Sequence, residues 1–287
     1  MRKQAWIPYV LLLPAVGGLL LFKLYPMLSA VRNSLFELNF AGGGERFTGL
    51  ANYVALWNDQ LFWSSLKTTL VFNAILTPVM LIASFALALL LDGAVGRGKR
   101  FFQTIQFIPV AISIPTACVL WGIMLSPEHG VVNSLLASFG FPAQPFLVSS
   151  SQALLSIIGI VIWKNAGYWA LFILAGLQEV PVSLYEAARV DGAGTLQRLR
   201  HVTLPLLKRP FAFVAVAVTS NHLFMFSPMY ILTQGGPQNS TRTLMLESFQ
   251  NAFLYSSPGR ASAIVVVLIG CALLLILAQF RLLRTNH

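Results

Sequence analysis

The sequence has few charged residues and few cysteines. Only 10% of its 287 residues are charged, while 56% are hydrophobic; a soluble domain carries about 25% charged residues. This deficit argues against an ordinary soluble protein and suits a lipid-facing surface, because charge inside a bilayer is costly. The two cysteines, Cys118 and Cys271, both fall in apolar stretches. They form neither a disulfide framework nor a metal-ligand spacing.

Acidic residues are also scarce, with nine Asp and Glu against nineteen Lys and Arg. None lies in an apolar stretch long enough to span a bilayer. Proton- and sodium-coupled carriers commonly use intramembrane carboxylates, so this scarcity weakens the hypothesis of a self-contained secondary carrier or channel for a small polar solute. No Ser-His-Asp order, His-Glu-x-x-His run or carboxylate pair supports a membrane-embedded enzyme.

Long apolar stretches dominate the rest of the chain. A membrane helix needs roughly 20 such residues, and the runs are continuous rather than alternating, which favours helices over a β-barrel. We therefore predict an all-α membrane protein with six transmembrane helices, forming one integral domain over residues 1–287. The predicted spans are residues 5–22, 68–91, 101–125, 153–177, 211–232 and 261–280.

The distribution of basic residues predicts the topology and argues against nucleic-acid binding as the reason for the net charge of +10. With the N-terminus inside, twelve of the nineteen basic residues are cytoplasmic, six are external and Lys164 lies in a span. This obeys the positive-inside rule and places both termini in the cytoplasm. The cytoplasmic set is Arg2, Lys3, Arg97, Lys99, Arg100, Arg189, Arg198, Arg200, Lys208, Arg209, Arg281 and Arg284.

One loop approaches a nucleotide-binding pattern without completing it. Residues 93–100 follow the phosphate-loop spacing up to the last position, where Arg100 replaces the required Ser or Thr. A membrane helix, not a strand, precedes this loop. We interpret it as a basic internal loop that orients the chain.

Two polar clusters interrupt the apolar spans. Lys164 stands in the run Trp163–Trp169 with Asn165 and Tyr168, and His222 stands between Asn221 and Met225. Hydrogen-bonding groups beside aromatic faces can line a pocket for a polyhydroxylated ligand. They can equally join neighbouring helices in the membrane. Both interpretations remain open from the residues alone, although helix-interrupting prolines in the third and fifth spans are typical of a cavity lining.

The internal loop of residues 178–210 is unusually polar. The run 182–190 predicts a helix with Leu184, Ala187, Ala188 and Asp191 on one face. Gly192 can end that helix and reverse the chain. A second short helix then covers residues 195–201, and Pro205 suits the start of a third. Such a pair can lie on anionic headgroups or dock its small residues into a partner.

This loop resembles a known family. Glu186-Ala-Ala, three residues, Gly192, nine residues, Val202, one residue and Leu204-Pro205 resemble the cytoplasmic loop of permease subunits of ATP-binding-cassette importers, with Val202 replacing isoleucine. Residues 232–241 and 259–263 are similar to its carbohydrate-uptake branch, including the maltose-type and glycerol-phosphate permeases. The similarity covers all six spans, without the large periplasmic insert of the maltose permease.

The resemblance implies a type I importer permease for a sugar or sugar-like solute, in the inner membrane of a bacterial-type cell. It implies a second homologous permease, two ATPase subunits that bind ATP and magnesium, an extracytoplasmic solute-binding protein and surrounding lipid, with no cofactor bound by this chain and no enzymatic activity of its own. The residues expected to contact the ATPase are Glu186, Ala187, Ala188, Asp191, Gly192, Leu204 and Pro205.

The same resemblance predicts the solute pathway. Sugar contacts in the maltose permease come from spans that correspond to the third, fourth and fifth here. Val110 stands where that permease has tyrosine, and His222 and Met225 replace asparagines, so we expect a ligand other than maltose. The predicted pathway residues are Val110, Lys164, Asn165, Tyr168, Asn221, His222 and Met225.

Overall fold

A computed structural model describes residues 7–39, 44–93 and 97–283. Arg2, Lys3, Arg284, the glycines at 42 and 43, and residues 94–96 of the incomplete phosphate loop lie outside the described residues. The helices of the first half are α1 (Ile7–Leu19), α2 (Tyr25–Asn33), α3 (Ala51–Trp57), α4 (Gln60–Gly93), α5 (Arg97–Ala111), α6 (Ile114–Met124) and α7 (Val131–Ser138). Those of the second half are α8 (Ala153–Gln178), α9 (Val182–Val190), α10 (Thr195–Arg198), α11 (Leu204–Leu206), α12 (Lys208–Leu223), α13 (Leu244–Phe253) and α14 (Pro258–Leu283).

The all-α membrane architecture predicted from the sequence is confirmed. Among the described residues, four helices are long and apolar enough to cross a membrane, and two bent helix pairs raise the number to six. The four unpaired spans are Tyr9–Asn33, Gln60–Gly93, Ala153–Gln178 and Pro258–Arg281. The first span therefore extends eleven residues beyond the predicted end at residue 22, through a π-helical turn at Leu20–Leu24. Neither Lys23 nor Pro26 ends the helix, since Pro26 lies at the start of α2, where a missing amide donor is tolerated.

The third span is bent rather than straight. Its halves, Phe101–Ala111 and Ile114–Met124, meet at 98°. Pro109 lacks the amide donor that a continuous helix requires. Ser113 then caps α6, since its hydroxyl accepts a hydrogen bond from the Thr116 amide at 3.3 Å. The predicted proline interruption thus becomes a sharp corner in the membrane region.

The fifth span, predicted over residues 211–232 with an interruption at Pro228, is broken in the structure. Helix α12 ends at Leu223, residues 224–226 are not helical, and a π-helical turn follows at Met229–Thr233. Pro228 precedes that turn and provides no amide donor. An apolar composition continues across the break, so Pro228 rather than hydropathy is the signal for it in the sequence.

Two short strands occur in the first external segment, where we predicted only a long loop. Strand β1 (Phe36–Asn39) pairs antiparallel with β2 (Gly44–Phe47), with Phe36 opposite Phe47. Arg32 and Glu45 form an ion pair with Nη2 and Oε2 2.5 Å apart. The predicted turn at the glycines falls between these strands, outside the described residues apart from Gly44.

The chain divides into two compact units, the first comprising residues up to Trp63 with Glu247–Gly270. In this unit the Asn52 amide donates to the carbonyl oxygens of Ser34 at 2.8 Å and Phe36 at 3.1 Å. Arg260 forms an ion pair with Asp59. These contacts hold together segments that are distant in sequence.

The second unit comprises Ser64–Leu246 with the residues from Cys271 onward. Its core is apolar and is built mainly from α4, α8 and α12. Fully buried side chains include Phe72, Leu76, Met80, Ile157, Ile173 and Val218. The single integral domain expected from the sequence stays a prediction.

Candidate solute cavity and coupling loop

A cavity of about 440 Å³ lies within the second unit. It is bounded by the corner between α5 and α6, by the middle of α8, and by the end of α12. Its lining residues are Ile112, Ser113, Ile114, Lys164, Asn165, Tyr168, Trp169, Asn221, His222 and Met225. Among the described residues, no group of three or more His, Cys, Asp or Glu could hold a metal ion.

Six of the seven predicted pathway residues line this one cavity, and Val110 does not. Val110 instead contributes its backbone carbonyl oxygen, which lies 3.5 Å from Lys164 Nζ. The structure therefore brings together the cluster around Lys164 in the fourth span and the cluster around His222 in the fifth span.

Four lining residues were missed by sequence reasoning. Trp169 had a usable signal, since it follows Asn165 by four positions just as Tyr168 follows Lys164, which places all four on one face of α8. Ile112, Ser113 and Ile114 had none, because their position depends on the angle between two helices.

Hydrogen bonds to the preceding helical turn hold the polar side chains of α12. The Asn221 amide donates to the Ala217 carbonyl oxygen at 2.8 Å, and His222 Nδ1 lies 2.7 Å from the Val218 carbonyl oxygen. Both contacts are within one helix. Within the described residues, Asn221 and His222 show no hydrogen bond to another helix, and both line the cavity.

Thr219 provides the contacts between helices instead. Its hydroxyl lies 3.2 Å from that of Thr77 on α4 and accepts a hydrogen bond from Gln279 of α14 at 2.7 Å. Thr219 is buried, and a buried polar contact orients a helix strongly. This network positions the end of α12 that carries His222.

An aromatic surface completes the cavity. The rings of Tyr168 and Trp169 are edge-to-face with centroids 4.9 Å apart. Trp169 is buried, while Tyr168 is 43% exposed. Polar groups beside aromatic rings are typical of sites that orient a ligand by a few hydrogen bonds and bury the rest of its surface.

The polar internal loop forms the predicted helical pair. Helix α9 ends in a reversal in which the Gly192 amide donates to the Arg189 carbonyl oxygen at 3.0 Å and the Ala193 amide to that of Ala188 at 2.8 Å. Gly192 has φ +76°, a conformation that glycine adopts without strain. Gln197 then accepts from the Gly194 amide at 2.7 Å at the start of α10.

Pro205 lies at the start of a helix, as predicted, although that helix is short. The proline lies in the short helix α11, after a π-helical turn at Leu199–Thr203, and the long helix begins only at Lys208. Across the loop, the Tyr185 hydroxyl lies 3.0 Å from that of Thr203. This contact connects α9 to the returning chain.

Glycine at 176 permits the close approach of the two chain segments that flank the loop. A Cβ at this position on α8 would lie 2.4 Å from Cγ of Pro210 and 3.1 Å from Leu207 Cδ2. Leu207 is fully buried. The base of the loop is thus closely packed, in contrast to its tip.

The predicted ATPase-contacting residues are mostly exposed. Glu186, Ala187, Asp191, Gly192, Leu204 and Pro205 are exposed, and Ala188 is half-buried. Apolar side chains accompany them, with Val190 88% and Leu196 76% exposed. Exposed apolar groups next to a rim of polar residues are typical of a surface that a protein or membrane covers.

Comparison with known proteins identifies the family. Residues 80–285 match the family described as "Binding-protein-dependent transport system inner membrane component". The chain belongs to this family. It is a membrane permease subunit of an ATP-binding-cassette importer, and the ATPase activity of such importers lies in a separate subunit.

Relatives match this permease over nearly its whole length. The probable ABC transporter permease protein YurN of Bacillus subtilis is 36% identical, over 98% of this chain and 97% of the relative. The sn-glycerol-3-phosphate transport system permease protein UgpA of Yersinia enterocolitica is 34% identical, over 96% and 94%. A bacterial alginate ABC transporter, solved in complex with its alginate pentasaccharide-bound periplasmic protein, is 25% identical with a TM-score of 0.86, over 99% of this chain and 98% of that one.

Proposed function

We propose that this permease forms one half of the pathway for a sugar or sugar-like solute and that residues 186–205 couple it to an ATPase. The cavity carries the first part of the proposal, since six residues chosen from the sequence lie around one space in the described chain. The relatives named for glycerol-3-phosphate and alginate transport support a polar, oxygen-rich solute.

The assembly that follows has four kinds of chain. A second, homologous permease completes the pathway, two ATPase subunits bind ATP with magnesium, and an extracytoplasmic protein delivers the solute. The alginate transporter supports the last of these, because its structure contains a periplasmic solute-bound protein. The chain crosses the inner membrane of a bacterial-type cell several times, with both termini in the cytoplasm.

Coupling occurs through the exposed tip of the internal loop. Its small residues allow a partner to approach closely. Its apolar side chains at Val190 and Leu196 are exposed, and covering them with a partner lowers the free energy of the complex. ATP-driven closure of the ATPase pair then moves the loop, and the spans that it joins change the access of the cavity from one side of the membrane to the other.

Site-directed cross-linking tests the coupling assignment. In the complete importer, Val190→Cys should form a bismaleimide cross-link to a cysteine introduced into the permease-facing surface of an ATPase subunit, whereas Glu45→Cys in the external hairpin should not. A membrane-impermeant maleimide should label Glu45→Cys in intact cells and Val190→Cys only in everted vesicles. Labelling of Val190→Cys from outside, or no cross-link in an assembled importer, would reject the proposed topology and contact.

ATP dependence tests the transport assignment. Proteoliposomes that contain both permeases, the ATPases and the binding protein should accumulate solute only with ATP inside the compartment that faces the loop. Vesicles with this chain alone should not accumulate solute under an imposed ion gradient. Ion-driven accumulation by the chain alone would support a self-contained carrier instead.

A further inference from the structure

Lys164 is the cationic side chain of the cavity, and it is nearly buried. Only 9% of the residue is exposed. Its Nζ reaches the Val110 carbonyl oxygen at 3.5 Å, which is the outer limit of a hydrogen bond and involves a neutral acceptor. Among the described residues, the ion pairs involve other cations. One long contact leaves most of the donor capacity of an ammonium group unused.

The rest of the lining carries no opposite charge. In the described part of the chain, no Asp or Glu lines the cavity. The polar groups next to Lys164 are the amides of Asn165 and Asn221, the hydroxyls of Ser113 and Tyr168, and His222. Amide nitrogens and hydroxyls can donate hydrogen bonds to an anion, so these groups are compatible with a negatively charged ligand beside Lys164.

A buried, unpaired ammonium group is energetically costly, and an anion that binds beside it removes part of that cost. A neutral sugar can accept hydrogen bonds from Lys164 but cannot neutralise its charge. We propose that the cavity binds the anionic group, a carboxylate or a phosphate, of a sugar-like solute through Lys164. This inference rests on the proposed function, because it assumes that the cavity is part of the solute pathway.

Matched pairs of small probes test the preference directly. The assembled importer is placed in nanodiscs without its binding protein, so that delivery does not influence the result. Glucuronate is compared with glucose, and glycerol 3-phosphate with glycerol, at equal ionic strength. Tryptophan fluorescence reports binding, since Trp169 lines the cavity.

The charged member of at least one pair should bind about tenfold more tightly than its neutral counterpart, as expected for a hydrogen bond between charged groups. Lys164→Met should reduce that ratio to near one, because binding of the charged probe weakens far more than binding of the neutral probe. Lys164→Arg should retain much of the preference. The matched control Lys67→Met removes an exposed lysine of α4 and should leave the ratio unchanged.

The outcomes separate the two sources of negative charge. A preference for glucuronate alone indicates that the cavity binds a carboxylate, and a preference for glycerol 3-phosphate alone indicates a phosphate. A preference for both indicates that negative charge is recognised whatever the geometry of the anionic group. The proposal is overturned if neither charged probe binds the wild-type importer or if charged and neutral probes bind equally. It is also overturned if the preference survives Lys164→Met. A carboxylate that the second permease supplied to Lys164 would produce a result of this kind, because Lys164 would then be neutralised without the solute.

Failure of the general function gives a different result. If the assembled importer shows no ATP-dependent uptake in proteoliposomes, the proposed function is wrong irrespective of the probe titrations. If uptake is ATP-dependent but the charged probes show no advantage, only the preference for an anionic group is wrong.

Discussion

The coupling loop and the solute cavity differ in how their residues come together. The loop is one continuous stretch, its tip exposed and its shape set by hydrogen bonds over a few residues. The cavity draws residues from three segments between Ile112 and Met225, with Lys164, Trp169 and His222 buried. A continuous site can be recognised as a motif but acts only through a partner, whereas a dispersed site depends on the internal packing of its own chain.

Reversing the charge of the loop should have the largest effect on transport. Glu186→Lys, alone or with Gly192→Trp, should reduce ATP-dependent uptake at least tenfold, because like charges brought together at an interface cost several kcal/mol. Glu186 is exposed, so Glu186→Lys should leave membrane insertion and the unfolding temperature unchanged. Gly192→Trp should lower the unfolding temperature, because Gly192 has φ +76° and a non-glycine residue is strained there. Glu128→Lys, at an equally exposed external position, is the control. Normal ATPase association and uptake in the double variant would remove the loop from the coupling path.

Three glycines of α8 provide an internal comparison of packing. Gly176→Ala at the base of the loop and Gly167→Ala beside the cavity should each lower stability by about 1–3 kcal/mol through overpacking. Their Cβ atoms would lie 2.4 Å from Pro210 Cγ and 2.5 Å from the Gln106 carbonyl oxygen. Gly159→Ala meets nothing within 4 Å and should be neutral or stabilising by up to about 1 kcal/mol. Thermal unfolding in detergent measures all three, and equal stability of the three variants would contradict the close packing at both places.

Removing the buried histidine of the cavity should affect solute affinity rather than coupling. His222→Ala should raise the KM for uptake about threefold to tenfold, the value of one hydrogen bond to the solute. The ATP hydrolysed per solute should stay constant. His129→Ala, at an exposed external position, should leave KM unchanged. A wild-type KM in the His222 variant at equal expression would exclude it from the pathway.

The smallest effect is expected where the loop is internally braced. Tyr185→Phe removes the hydroxyl that lies 3.0 Å from Thr203 and should weaken the loop by about 0.5–1.5 kcal/mol. A less stable loop should transmit motion less efficiently. We therefore expect about twofold more ATP hydrolysed per transported solute in proteoliposomes, which corresponds to about 0.5 kcal/mol. Tyr9→Phe, an exposed tyrosine of the first span, serves as control. An unchanged ratio would show that the brace does not contribute to coupling.

Local patterns accounted for much of what was predicted correctly. Helix α9 follows from its periodicity, and its end follows from Gly192, because both depend on neighbours within one or two turns. The errors lie where distant segments meet. Pro228 indicated that the fifth span is interrupted, but not that the break covers residues 224–226. The strands at Phe36–Asn39 and Gly44–Phe47 form a pair that neither segment indicates alone.

The amino-acid sequence by itself determined that this chain spans a membrane, which loop carries the family motif and which polar residues interrupt the spans. These properties depend on hydropathy and on short-range spacing. Only the tertiary structure decided that Lys164 and His222 line the same cavity, that Val110 does not, and that Thr219 joins the helices instead of His222. The reason is geometric: a corner of 98° between α5 and α6 and the packing of α12 against α4 set these distances, and neither is encoded in any one segment.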